Sequence, residues 1–278
     1  MNYRHIFHAG NFADVTKHVV LTLLLKSLRK KTTPFFYLDT HAGAGRYDLA
    51  GAEAQKTGEY REGIQRLWDT VTPPELAEFL AAVRAQNPTG SLRYYPGSPT
   101  IAQHFLRQQD RMVLLERHVD ECAQLQSTFA DYRQVTVRAH DGYSGLKAFL
   151  PPKERRGLVL IDPPYESDNE YEQVVAGLRV AHERWASGIY IVWYPIKNRP
   201  PVARLHRAVI ATGIRKILLL ELCPYPDDTV LRLNGCGMIV VNPPWMLEEA
   251  LQALLPKLLE LLQPHSAGRS RLAWLVPE

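Results

Sequence analysis

The sequence predicts an α/β fold: a mostly parallel, doubly wound sheet flanked by helices, with a small helical insertion after the first strand. Three observations predict it. Short runs rich in Val, Leu, Ile and aromatic residues recur from residue 35 onward, the mark of strands buried on both faces. Stretches of helical periodicity separate those runs. Several runs end in an acid, as expected where ligands gather at the carboxyl edge of an open parallel sheet.

The first element is a helix over residues 14–30, with Val15, Val19, Leu23 and Leu24 at helical spacing and Asn11 or Asp14 as its cap. The run 35–39 is the first strand; it ends at Asp39 and opens into the small-residue turn His41-Ala-Gly43-Ala-Gly45. Residues 99–108 read as a helix that Ser98 can cap, because proline in the first helical position forfeits no needed N–H. Strands follow at 111–116, ending in Glu116, at 135–139, leading to Asp141-Gly142, and at 157–162, running into Pro163-Pro164-Tyr165. A helix over 171–186 precedes apolar runs at 189–193, 216–222 and 238–241. A helix over 246–262 and a candidate edge strand at 272–276 close the chain.

In a dinucleotide-binding unit the acid of the second strand follows the glycine turn by about 20 residues. Here Glu116 lies far beyond Gly45. The intervening residues 47–93 contain helical stretches at 59–68 and 74–86 and the breakers Pro73-Pro74 and Asn87-Pro88. Residues 1–46 and 94–278 are therefore expected to form the main domain with an N-terminal helical extension. Residues 47–93 are expected to be an inserted helical subdomain over the carboxyl edge of the sheet.

With 278 residues, 46% of them hydrophobic, the chain can bury a large core. No run approaches the roughly 20 apolar residues of a membrane span, and the first residues lack the apolar region of a signal peptide. Cys122, Cys223 and Cys236 are odd in number and have no metal-type spacing, so a reduced, cytoplasmic protein without metal is expected, acting as a monomer. A net charge of +4 suits a polyanionic partner without demanding one, since small basic groups are usually solvated faces. Among them, Arg155 and Arg156 are candidate phosphate contacts.

Asp162-Pro163-Pro164-Tyr165 carries the clearest chemistry. Two prolines after a buried strand stiffen the backbone and remove N–H donors, leaving carbonyls directed at a site. Asp162 and the Pro163 carbonyl can each accept a hydrogen bond from an exocyclic amino group and so aim its lone pair at a methyl donor. Tyr165 can stack on an extruded base. Taken alone, the tetrapeptide is also compatible with a plain proline-rich loop; its place after the fourth strand of this pattern favours the site. Asn242-Pro243-Pro244-Trp245 has the same composition after another apolar run, but follows a late strand far in chain order from the cofactor turn, and is expected to be structural.

Around Asp39, the turn containing Gly43 and Gly45 lets the backbone approach a ligand closely. The third glycine of a dinucleotide fingerprint is absent. Glu116 and Asp141, at two more strand ends, can hold a ribose diol and accept an adenine amino group. At the N-terminus, Tyr3, His5 and His8, with Lys17 and His18 beyond them, suit a nucleotide site better than a metal, for which the histidine spacing is too loose.

These segments resemble the bacterial large-subunit ribosomal RNA methyltransferase J family. The resemblance rests on Tyr3-Arg-His5, His8-Ala-Gly-Asn11, Asp14, Lys17-His18, Asp39-Thr-His-Ala-Gly-Ala-Gly-Arg-Tyr47, Thr57-Gly-Glu-Tyr60, Arg93-Tyr-Tyr-Pro-Gly-Ser-Pro99, Asp162-Pro-Pro-Tyr165, Trp193-Tyr-Pro195, Thr212-Gly-Ile-Arg-Lys216 and Trp274-Leu-Val-Pro-Glu278. It implies a Rossmann-like, class I methyltransferase fold dependent on S-adenosylmethionine, modifying the N6 amino group of an adenine in 23S ribosomal RNA. It implies cofactor contacts at His18, His41, Ser98, Glu116, Asp141, Gly142 and Asp162, to which the turn residue Gly43 is added. It also implies Asp162 as catalytic acceptor, Tyr3 at the RNA substrate and Lys17 beside the site.

Other readings exist. A nicotinamide-dependent oxidoreductase shares the strand–glycine–acid plan but wants the third glycine and has no use for Asp-Pro-Pro-Tyr. A catalytically silent RNA-binding protein has no need of the cofactor residues. The tetrapeptide by itself does not separate adenine N6 from guanine N2, cytosine N4 or a glutamine amide, nor RNA from DNA.

Overall fold

A computed structural model describes residues 4–167, 169–227, 233–264 and 267–278. Tyr3, expected at the RNA side, lies outside the described residues.

The chain enters through a 3-10 turn, His5–Phe7, and helix α1 (Phe12–Arg29). Asn11 caps α1, its side chain accepting from the Asp14 N–H at 2.9 Å. Strand β1 (Phe36–Asp39) is followed by β2 (Arg46–Asp48), α2 (Ala52–Thr57), a 3-10 turn at Glu59–Glu62, α3 (Ile64–Trp68), α4 (Ala77–Ala85) and β3 (Tyr94–Pro96). Then come α5 (Ser98–Phe105), β4 (Arg111–Glu116), α6 (Val119–Thr128), β5 (Val135–Ala139), α7 (Gly142–Phe149), β6 (Gly157–Ile161), α8 (Glu170–Arg184) and β7 (Ile189–Ile196). The last third holds α9 (Arg199–Ile210), β8 (Ile217–Cys223), β9 (Gly235–Val241), α10 (Leu247–Leu262) and β10 (Arg269–Val276).

Eight strands form one sheet in the order β10-β8-β9-β7-β6-β1-β4-β5. Pairings among β5, β4, β1, β6 and β7 are parallel, whereas β9 is antiparallel to both β7 and β8, and β10 to β8. Only β9 and β10 are therefore reversed, and the sheet is mostly parallel, as the apolar runs predict. From β1 the chain steps outward to β4 and β5, then returns to β6 on the other side of β1. That reversal opens a crevice at the carboxyl ends of β1 and β6, where α/β sheets bind ligands.

Alternation along the strands feeds a core on each face. Tyr37, Leu158 and Leu160 pack with α1, α5 and α10; Phe36, Leu38, Val159 and Ile161 pack with α7, α8 and α9. Helix α9 starts with two prolines and is polar around most of its surface, so it escapes a search for long apolar periodicity. Its signal is the triplet Val202, Leu205 and Val209, all buried.

Residues 47–93 leave and rejoin the main body through the antiparallel pair β2–β3, in the register Arg46↔Pro96, Tyr47↔Tyr95 and Asp48↔Tyr94. Ile64, Leu67, Phe79, Leu80 and Val83 join the same buried cluster as α1 and α5, and Glu59 reaches the edge of the cleft. Ser98 does not cap α5. Gly97 holds that position, because the Ser98 hydroxyl is taken by Asp39, to which it donates at 2.7 Å.

Candidate active site

Four neighbouring strands, β6, β1, β4 and β5, deliver Asp162, Asp39, Glu116 and Asp141 to one edge of the sheet. All four strands are parallel, and each acid ends its strand or follows it within two residues. A cleft of about 1670 Å³ lies over this edge, lined by Glu116, Asp141, Gly142, His18, Lys17, Asp162 and Tyr165 among others. Pockets for a single small ligand span roughly 300–1,000 Å³, so this cleft has room for two.

At its β4 end Glu116 is fixed by backbone donors: Gly43 N–H to Oε2 at 2.8 Å and His118 N–H to Oε1 at 2.6 Å. Each oxygen keeps a lone pair for a further donor such as a diol. Gly43 reaches Glu116 with φ +61, and a side chain there would strike the Tyr47 hydroxyl. Asp141 caps α7, accepting the Ser144 N–H at 2.8 Å. Burial opposes its ionisation, but the hydrogen bonds from Ser144 prevail and its pKa falls below the ordinary range. Gly142 brings α7 so close to β1 that a Cβ would lie 2.3 Å from the Thr40 carbonyl oxygen.

Behind the cleft wall, Asp39 is fully buried and accepts from Ser98 at 2.7 Å and Tyr37 at 2.8 Å. Burial raises its pKa to about 6 against the opposing pull of those two bonds. The His41 ring takes up Thr40 Oγ1 at 2.8 Å and meets Tyr143 edge-on, and burial lowers its pKa to about 4. His18 stacks on Tyr95 and bonds its hydroxyl at 2.8 Å through Nδ1, while Nε2 is buried without a partner among the described residues. Burial first, and then the Lys17 charge, hold His18 well below the usual histidine range.

At the β6 end, Lys17 Nζ lies 2.5 Å from Asp162 Oδ2 and 2.9 Å from Asp14 Oδ1. Burial works against a charged lysine here, yet the two carboxylates outweigh it and raise the Lys17 pKa. Asp14 is itself held well below the carboxylate range, His5 and Lys17 overcoming its burial. Asp162 Oδ1 has no partner among the described residues and is available to a ligand. Tyr165 has φ +51, a conformation imposed by its surroundings rather than preferred. Its hydroxyl donates to the Trp193 carbonyl at 2.7 Å, and its ring lies 4.8 Å from Tyr171 and 5.9 Å from Trp193.

With this geometry in view, comparison with known proteins is direct. The family described as "Ribosomal RNA large subunit methyltransferase D, RlmJ" matches residues 32–276. The chain belongs to this family. Two proteins named "Ribosomal RNA large subunit methyltransferase J", from Haemophilus influenzae and Escherichia coli, are each 48% identical to it over the full length of both chains. The crystal structure of protein LPL1258 from Legionella pneumophila is 36% identical, with a TM-score of 0.89 over 96% of this chain and 98% of that one.

For this member of the family, tertiary structure also sorts the remaining candidates. Asn242-Pro-Pro-Trp245 lies at the opposite edge of the sheet, because β9 runs backwards and Val241 pairs with Tyr190 near the start of β7. There Asn242 donates at 2.8 Å to the carbonyls of Ala186 and Gly188, and Trp245 is 88% exposed. Arg155 and Arg156 are at that same far edge, just before β6, and Arg156 is spent on the Thr33 and Leu28 carbonyls. They are not placed to meet a phosphate at the cleft. His5, His8 and His18 turn to Asp14, Glu59 and Tyr95 respectively. Among the described residues no group of three or more His, Cys, Asp or Glu is arranged to hold a metal ion, and no helix is long and apolar enough to cross a membrane.

Asp39, expected only as part of the cofactor turn, is the buried acid on which Ser98 and Tyr37 converge. The bond from Tyr143 to Glu170 at 2.5 Å, which ties α7 to α8 beside the cleft, has no linear signature.

Proposed function

We propose that this protein transfers a methyl group from S-adenosylmethionine to the N6 amino group of an adenine in 23S ribosomal RNA. One observation carries the reading: a single cleft joins an end ringed by strand-terminal acids to an end built from Asp162, Pro163, Tyr165 and Trp193. Membership of the family and the names of the two full-length relatives support ribosomal RNA as the substrate.

The residues present fit the cofactor. Glu116 would hold the ribose diol and Asp141 the adenine amino group. Gly43 and Gly142 keep backbone close to the ligand, and the His18 Nε2 left without a partner offers a polar contact beside His41 and Ser98. Bound there, S-adenosylmethionine supplies an electrophilic methyl group.

The chain's own contribution is placement and charge. The target base stacks on the Tyr165 ring, a contact that contributes roughly 1–3 kcal/mol. Its amino group donates one hydrogen bond to Asp162 Oδ1 and the other to the Pro163 carbonyl, which turns the nitrogen lone pair toward the donor. As positive charge grows on that nitrogen the Asp162 carboxylate stabilises it, and Lys17 holds the carboxylate still so that no reorganisation is needed.

The test is mass spectrometry of nucleosides from ribosomal RNA of cells lacking the protein, paired with methylation of that RNA by purified enzyme. Loss of one N6-methyladenosine, restored in vitro, is the expected result. An unchanged nucleoside profile would end the reading.

A further inference from the structure

Tyr143 and Glu170 both line the cleft, and the chemistry above uses neither. They come from its two halves. Tyr143 follows Asp141 and Gly142 in the first turn of α7, on the cofactor side. Glu170 is the first residue of α8, where the loop that leaves Asp162 and carries Tyr165 ends, and its N–H donates to the Ser167 carbonyl at 3.0 Å. Across the gap the Tyr143 hydroxyl donates to Glu170 Oε1 at 2.5 Å, and Glu170 is buried.

The surroundings of this bond are shaped for it. Helix α8 presents Gly177 to the Tyr143 ring, and a Cβ at that position would lie 2.9 Å from Tyr143 Cδ1. The absence of a side chain lets the ring seat against the helix backbone. The same ring meets His41 edge-on, with centroids 5.4 Å apart. Apolar packing already joins the two helices, since Leu146 of α7 shares one buried cluster with Val174 and Leu178 of α8. What the hydrogen bond adds is direction, which packing does not supply.

Three contacts therefore fix the acceptor loop. Lys17 holds Asp162, the Trp193 carbonyl holds the Tyr165 hydroxyl, and Tyr143 holds Glu170. Of the three, only the last reaches into α7, the helix that Asp141 caps. In-line transfer needs the reacting atoms roughly 3–3.5 Å apart, and a misplacement of about 1 Å can cost about 100-fold in rate.

We propose that Tyr143 and Glu170 are positioning residues whose bond sets the acceptor loop at a fixed distance from the cofactor helix, so that the amino group held by Asp162 meets the methyl carbon in line. The inference rests on the reading of the protein as an RNA adenine methyltransferase and deepens it. Both residues act through the loop, so their loss falls on the transfer step and not on the affinity for either ligand.

The experiment measures single-turnover methylation of in vitro transcribed 23S ribosomal RNA by wild type, Tyr143→Phe, Glu170→Ala, Glu170→Gln and the double variant Tyr143→Phe/Glu170→Ala. Tyr143→Phe keeps the ring against Gly177, and denaturant midpoints verify that each variant is folded at the assay temperature. Tyr143→Phe and Glu170→Ala are each expected to slow transfer by about 10- to 100-fold at saturating RNA and S-adenosylmethionine. KM for RNA and calorimetric affinity for S-adenosylmethionine stay near wild type. The double variant is no slower than the slower single one, because the two residues act as one unit. Glu170→Gln, whose amide oxygen still accepts the phenol, recovers most of the rate lost in Glu170→Ala. A wild-type transfer rate in Tyr143→Phe would overturn the proposal, as would losses that multiply in the double variant, and either result leaves the methyltransferase reading intact. A wild-type protein that transfers no methyl group to RNA would remove that reading and this inference together.

Discussion

Lys17 Nζ sits between two carboxylates, 2.5 Å from Asp162 on one side and 2.9 Å from Asp14 on the other, although Asp162 is 145 residues away in sequence. The lysine presents Asp162 with one oxygen committed and the other open. His5, at 2.8 Å from Asp14, extends the chain of contacts into the N-terminal segment. A surface ion pair would be worth little, but this one is buried, and breaking it leaves charge without compensation.

Lys17→Met is therefore expected to lower kcat by about 100-fold or more, the scale of losing a preorganised electrostatic contact. It should also lower stability by about 3–5 kcal/mol, so kinetics belong at a temperature where the variant is fully folded. Calorimetric affinity for S-adenosylmethionine should remain near wild type. A parallel collapse of that affinity would place Lys17 at the cofactor and not at the acceptor carboxylate.

Tyr165 makes two separable contributions. Tyr165→Phe keeps the ring and loses the bond to the Trp193 carbonyl, a change of about 1 kcal/mol in stability with turnover largely preserved. Tyr165→Ala removes the stacking surface, and kcat/KM for RNA should drop by a factor corresponding to about 1–3 kcal/mol. Steady-state kinetics that rank the two variants equally would show that the hydroxyl, and not the ring, is what matters.

The two proline-containing tetrapeptides call for opposite outcomes. Asp162→Ala should abolish methyl transfer in a folded protein. Asn242→Ala should keep activity but lose about 1–3 kcal/mol of stability, because the Ala186 and Gly188 carbonyls lose their donor and an alanine replaces a residue held at φ +53. Denaturant midpoints and a methylation assay on both variants make the comparison. Inactive but fully stable Asn242→Ala would reverse the assignment.

Asp39 and His41 set opposing pH dependences of stability. The Asp39 pKa is raised to about 6 by burial, so between pH ~4 and ~6 the folded state binds more protons than the unfolded one at this site, and stability falls as pH rises. His41 is lowered to about 4, so over pH ~4 to ~6.5 the unfolded state binds the extra proton, and stability is lost as pH falls. Each shift of about two units corresponds to roughly 3 kcal/mol at most. Relative to wild type, Asp39→Asn should gain stability toward pH 6, and His41→Gln should gain it toward pH 4. Thermal melts across that window that run parallel to wild type would remove either group from the balance.

The linear sequence determined which segments become the strands of the large sheet, though not the short pair β2–β3, because an apolar run is buried wherever it lies in a two-sided sheet, whatever its neighbours. It also determined the acids at strand ends, since a run that stops at Asp39 or Glu116 leaves that side chain at the carboxyl end of its strand. The family was legible for the same reason: the motifs around Asp39, Ser98 and Asp162 are contiguous and long. Only tertiary structure decided which partner each polar group found. Strand β9 runs backwards because it lies between β7 and β8, which sends Asn242-Pro-Pro-Trp245 to the far edge although its composition matches Asp162-Pro-Pro-Tyr165. Ser98 turned from capping a helix to holding Asp39, and Arg156 from phosphate to backbone carbonyls. Local propensity acts over a few residues, whereas hydrogen bonds and ion pairs are settled by what the fold brings within about 3 Å, and that distance has no counterpart along the chain.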